Sequence, residues 1–126
     1  MLAYTMLGSN DPEAAQNFYE NVFEGAGIKT VFTNPNGAKF YSAGKGSMLG
    51  IGSPADGEAA NNGNGTMIAI PFEETADVDA AYKKAIEMGA ACEGEPGWRM
   101  PDIFYGAYFR DPDGNKVCAC KMNMSL

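Results

Sequence analysis

The sequence contains no histidine. That absence removes the commonest general base near neutral pH and the commonest nitrogen ligand of catalytic metals. Positive charge is also scarce: nine Lys and Arg against sixteen Asp and Glu leave a net charge of −7, and no basic cluster exceeds Lys83-Lys84. Nucleic acids and anionic membranes both reward concentrated positive charge, so neither is expected as a partner. No apolar run approaches the roughly 20 residues that cross a bilayer. The opening Met1-Leu2-Ala3-Tyr4-Thr5 lacks the basic-then-apolar order of a secretory signal. Cysteines number three, and an odd count without such a signal leads us to expect a reduced, cytoplasmic protein.

What is present is a globular composition, 45% hydrophobic and 20% charged over 126 residues, enough to bury one ordinary core. The plainest local signal lies at Tyr105–Lys121. Asp111-Pro112-Asp113-Gly114 has the chemistry of a hairpin turn: Asp111 accepts local backbone hydrogen bonds, Pro112 pre-sets φ, and Gly114 takes a left-handed conformation. Apolar runs flank it, Ala107-Tyr108-Phe109 before and Val117-Cys118-Ala119-Cys120 after. The two-residue period of a strand puts Val117 and Ala119 on one face and Lys116, Cys118 and Cys120 on the other. Cys118 and Cys120 are poor disulfide partners, because same-face neighbours on a strand stand roughly 7 Å apart.

Along the chain, Tyr4–Ser9 is predicted as a strand. Asp11-Pro12-Glu13 then starts a helix, with a capping carboxylate, proline in the first turn and a charge that suits the helix dipole. Its stripe is Ala15, Phe18, Tyr19 and Val22, and Gly25 and Gly27 end it. Lys29–Thr33, Lys39–Ala43 and Ser47–Gly52 are expected as strands. Residues 53–65, rich in glycine and asparagine and without periodicity, form a connection between halves. Thr66–Pro71 is again a strand, and Thr75 is expected to cap a helix that Gly89 ends. A glycine-, proline- and aromatic-rich loop is expected over Gly94–Phe104, before the closing hairpin. Displacing the chain by 63 positions places Leu7 on Ile70, Tyr19 on Tyr82 and Phe23 on Ile86, which points to an internal duplication.

Two such halves, the turn Arg110-Asp111-Pro112-Asp113-Gly114-Asn115-Lys116, and the opening Asn10-Asp11-Pro12-Glu13 leading to Phe18-Tyr19 resemble the vicinal oxygen chelate superfamily. That group includes glyoxalase I, bleomycin-resistance proteins, fosfomycin-resistance thiol transferases and extradiol dioxygenases. The resemblance implies an α+β fold of two βαβββ modules, sheets curled around a cleft and helices on the outside, often as a homodimer. It makes residues 1–126 a single glyoxalase-like domain, with module one at about 1–52, the connection at 53–65 and module two at 66–126. It does not fix an activity, because the fold hosts several chemistries.

The resemblance also locates the family's metal positions, and here this chain departs. Tyr4 stands where family members carry His or Gln, Met67 where they carry His, and Cys118 where they carry Glu. A phenol, a thioether and a thiol offer little to the borderline divalent ions that prefer imidazole and carboxylate, so no metal and no cofactor are expected. The cleft is assigned Tyr4, Met67, Trp98, Arg99, Tyr105, Lys116, Cys118 and Cys120, with Trp98 and Tyr105 in or beside a loop that closes over it. Arg99 and Lys116 are the cations for an anionic ligand, and Arg110 belongs to the turn. Two readings stay open: a metal-independent protein that binds a small-molecule ligand, and a glyoxalase-like lyase or isomerase whose metal ligands come from elsewhere, including Asp or Glu of a dimer partner. No catalytic residue is assigned.

Overall fold

The structure, a computed structural model, describes residues 1–125. Its strands and helices run in the order β1 (Tyr4–Gly8), α1 (Pro12–Val22), β2 (Lys29–Thr33), β3 (Lys39–Ser42), β4 (Met48–Gly52), β5 (Met67–Pro71), α2 (Thr75–Glu87), β6 (Cys92–Met100), β7 (Phe104–Arg110) and β8 (Lys116–Met122). Two four-stranded sheets result, ordered β1-β4-β3-β2 and β5-β8-β7-β6. In each, the first strand pairs in parallel with the last of its module, Tyr4 with Met48 and Met67 with Lys116, and the remaining pairs are antiparallel. The two βαβββ modules expected from the sequence are therefore present, and the common strand order gives the internal duplication a structural counterpart.

Each helix covers one face of its own sheet. The Asp11 side chain accepts from the Ala14 N–H, and Pro12 sits at the first helical position, so α1 begins where the sequence says it should. The Gln16 side chain then donates to the carbonyls of Gly37 and Ile51, both at 3.0 Å, pinning α1 to the β2–β3 turn and to β4. Leu7, Tyr41 and Ile51 from the first sheet join Ala107, Phe109, Val117 and Ala119 from the second in one core. Phe18 of α1 meets the ring of Phe109, and Phe23 meets both Phe72 and Phe109. Both sheets thus give their helix side to a shared core and turn their other side, the open face, away from it.

Two local expectations are corrected. Glu74, not Thr75, is the cap residue of α2, and it makes no side-chain capping bond. The stretch read as a loop over Gly94–Phe104 is mostly strand β6. It lies at the edge of its sheet and its register slips at Gly94, Gly97 and Trp98. An edge strand tolerates Pro96, which has no N–H to give, and bulges absorb the glycines that otherwise signal a loop.

Candidate functional site

The turn after β7 ties the two halves together. Asp111 is buried, and its carboxylate accepts from the backbone N–H groups of Asp113 and Asn115, from the Asn115 amide, and from the Tyr19 hydroxyl at 2.7 Å. The Asn115 amide also reaches the Gly8 carbonyl, and Asp113 accepts from the Asn10 N–H, so the turn clamps the β1–α1 junction. Burial, and then the charge of Asp111, push the Tyr19 phenol well above its ordinary value. Gly114 adopts φ 85°, as the turn requires. Arg110 donates to the Gly114 carbonyl and to Glu93, which makes it a support of the turn.

On β8, Val117 and Ala119 face the core while Lys116, Cys118 and Cys120 take the open face of the second sheet. Cys118 lies opposite Tyr108 on β7 and beside Ala69 on β5. Tyr108 is the residue that sequence reasoning missed. The Arg99 guanidinium carbon stands 5.3 Å from the centre of its ring and the Lys116 ammonium 5.6 Å from it, within the range of cation–π attraction. Arg99 is steadied by donating to the Glu95 carbonyl. The glycines of β6 make room for it: a Cβ on Gly94 would lie 3.0 Å from the Tyr108 ring and 3.2 Å from the guanidinium, and one on Gly97 3.0 Å from it. Glycine opposite an alternating aromatic was thus the available signal. Asn62, Asn64, Met67, Arg110 and Lys116 border an adjoining cavity of about 440 Å³.

Cys118 and Cys120 are buried free thiols. Contact with the Cys120 sulfur, and then burial, push the Cys118 thiol far up, so it stays protonated at neutral pH. The same contact draws Cys120 down, because the pair yields its first proton more readily than its second.

The other assigned residues do not all join this group. Tyr4 lies on the open face of the first sheet, edge-on to Phe40, which in turn stacks on Phe32 at 4.6 Å. Met6 belongs to the same exposed apolar surface. Both open faces point away from the common core, so within the single chain Tyr4 stands on one sheet and Met67 and Cys118, assigned to the same cleft, on the other. Trp98 and Tyr105 pair across β6 and β7, and Tyr105 alternates with the core residues Ala107 and Phe109. They therefore stand on the helix side, where Tyr105 donates to Asp79 of α2 at 2.6 Å, and not on a loop over the open face.

The donor set does not fit the divalent ion that the resemblance implies. Tyr4 offers a phenol, Met67 a thioether and Cys118 a buried thiol, and none is the imidazole or carboxylate that such an ion prefers. Among the described residues no group of three or more His, Cys, Asp and Glu is placed to hold a metal ion.

The family described as Glyoxalase/Bleomycin resistance protein/Dioxygenase superfamily matches residues 1–119. A glyoxalase/bleomycin resistance protein from Albidiferax ferrireducens is 35% identical, with a TM-score of 0.86 over 96% of this chain and 98% of that one. Lactoylglutathione lyase from Agrobacterium tumefaciens is 25% identical, with a TM-score of 0.68 over 96% and 92% of the two chains. A glyoxalase-related enzyme from Fulvimarina pelagi, 24% identical, has a TM-score of 0.72 over 96% of this chain and 87% of that one. No curated protein matches by sequence.

Proposed function

This chain belongs to the Glyoxalase/Bleomycin resistance protein/Dioxygenase superfamily, and within it we propose a metal-independent protein that binds a small aromatic or amphipathic anion. The observation that carries the reading is the pair of cations, Arg99 and Lys116, over the one ring of Tyr108. A carboxylate or phosphate would take charge-assisted hydrogen bonds from both, while Tyr108 and Met67 contact its apolar part. Cys118 and Cys120 serve as small, buried floor residues. The buried, protonated Cys118 is no nucleophile.

The binding unit in this proposal is a homodimer. Tyr4 is 54% exposed and Met67 44%, and Met6 and Phe32 extend the apolar surface around Tyr4. Seating the first sheet's open face of one chain on the second sheet's open face of its partner buries these side chains and brings Tyr4 to Met67 and Cys118. The free thiols suit a reducing cytoplasm.

The test combines metal analysis of purified protein with thermal shift against a panel of aromatic carboxylates and phosphate esters. A ligand at 100 times its Kd stabilises the folded state by about 2.7 kcal/mol. Arg99→Ala or Lys116→Ala is expected to weaken a responding anion by about 10- to 100-fold, since a hydrogen bond to a charged group contributes about 1.5–3 kcal/mol. Stoichiometric tight binding of Ni²⁺, Mn²⁺ or Zn²⁺, lost in Cys118→Ala or Tyr4→Phe, would overturn the reading in favour of a metal-dependent lyase or isomerase.

A further inference from the structure

Three Asn-Gly pairs occur in the chain, at Asn36-Gly37, Asn62-Gly63 and Asn64-Gly65. Such pairs are chemically labile, because glycine's backbone nitrogen is unhindered by a side chain. That nitrogen attacks the asparagine Cγ and closes a succinimide ring, and the amide nitrogen leaves as ammonia. Water then opens the ring at either carbonyl, giving aspartate or isoaspartate. The reaction needs a glycine N–H free to lose its proton and an asparagine side chain free to turn back onto it.

The three pairs differ sharply on both requirements. At Asn36-Gly37 the glycine N–H donates to the Asn34 carbonyl at 2.9 Å, and the Asn36 side-chain oxygen accepts from the Ala38 N–H at 3.1 Å. Nucleophile and electrophile are each held elsewhere. At the other two pairs every residue from Asn61 to Gly65 is exposed. Among the described residues neither Gly63 nor Gly65 donates its N–H to a backbone acceptor. The Thr66 N–H closes a turn onto the Gly63 carbonyl at 3.3 Å, leaving both glycine nitrogens outside the hydrogen bond. We propose that Asn62 and Asn64 are sites of spontaneous deamidation in the folded protein and that Asn36 is not.

The position gives the modification a consequence. Asn62 and Asn64 border the cavity that Lys116 and Arg110 also border. Each conversion replaces a neutral amide by a carboxylate on the border of that cavity, beside Lys116 and beside Arg110, whose charge Glu93 already pairs. For the anion-binding role of Lys116 this is a progressive loss, an inference that rests on the function proposed above. The modification itself does not.

The experiment is peptide mapping by mass spectrometry after folded, full-length protein has aged in mildly alkaline buffer, with a urea-unfolded sample beside it. In the folded sample the peptide carrying Asn62 and Asn64 is expected to gain acidic forms while Asn36 stays intact, and unfolding is expected to release Asn36 to react as well. Equal conversion at all three pairs in the folded protein, or an intact 62–65 segment, overturns the proposal. Asn62→Gln with Asn64→Gln should abolish the acidic drift on isoelectric focusing, and drift that persists in this variant overturns it too. If the sites convert but a responding anion binds aged and fresh protein equally, the deamidation stands and the role of Lys116 in binding falls.

Discussion

Replacing Asp111 by alanine tests whether the turn after β7 holds the two halves together. The carboxylate accepts four hydrogen bonds, and no cation lies among its partners. Its loss would leave the Tyr19 hydroxyl, in a residue with no exposed surface, without a partner. An unsatisfied buried donor costs about 1–3 kcal/mol, whereas the N–H groups of Asp113 and Asn115 lie nearer the surface and find water. The Asn115 amide keeps the Gly8 carbonyl at 3.2 Å. Together these place the loss at about 2–4 kcal/mol, a large part of the 5–15 kcal/mol that holds a typical domain folded. Tyr19→Phe removes the hydroxyl and leaves Asp111 three donors, so its cost is expected to be smaller, about 1–2 kcal/mol. Urea denaturation measures both as a shift in midpoint at constant slope. If the two residues act through their shared bond, the double variant loses less than the sum of the singles. An Asp111→Ala loss below about 0.5 kcal/mol, or strict additivity, would refute the argument that this turn is the clamp.

Other consequences can be checked alongside. Tyr19 and Tyr41 are both raised, first by burial and then by Asp111 and by the hydrogen bond to Glu20 respectively, so the fold favours their neutral forms. That contribution is complete below about pH 10, where unfolded tyrosine ionises, and is lost as pH rises toward the folded values. Stability should therefore fall above about pH 10, and Tyr19→Phe should flatten the fall by up to about 1.4 kcal/mol per pH unit. Thiol reagents should label exposed Cys92 quickly and Cys118 and Cys120 only through opening of the structure; an opening of about 4 kcal/mol slows labelling about a thousandfold. Gly52→Ala should destabilise by about 1–3 kcal/mol in urea, because backbone holds its new methyl in place and cannot yield as a flexible side chain would. Its Cβ would stand 2.5 Å from that of Ala38 and 3.0 Å from the Ala38 Cα.

The fold was legible because its signals are local and redundant. Asp11-Pro12, the stripe Ala15-Phe18-Tyr19-Val22 and the turn at Asp111 each declare an element from a few adjacent residues, and the second half repeats the grammar of the first. β6 was illegible for a physical reason. Its glycines and Pro96 answer to an edge position, to the Tyr108 ring across the strand and to the Arg99 guanidinium folded back along it, and none of these is visible in the run of residues alone. The same holds for Trp98 and Tyr105. The resemblance assigns them to the cleft through an expected closing loop, whereas the unbroken β7–β8 register sets Tyr105 with Ala107 and Phe109 on the helix side and Trp98 pairs with it there.

The site is harder still, because what marks it in sequence is a set of replacements. Tyr4, Met67 and Cys118 say which chemistry has gone, and strand parity correctly separates Cys118 from Val117, yet parity cannot say whether two open faces meet. In this chain they do not: the core that Phe109 shares with Phe18 and Phe23 draws the helix sides together and turns Tyr4 and Cys118 outward on separate sheets. A side chain's direction within a sheet is a local property, readable with a period of two. Whether two sheets enclose a space depends on how helices pack between them, which is set by contacts far apart in sequence. That is why Lys116 and Cys118 were placed on the right face while their company, Tyr108 and the glycines beneath Arg99, emerged only with the fold.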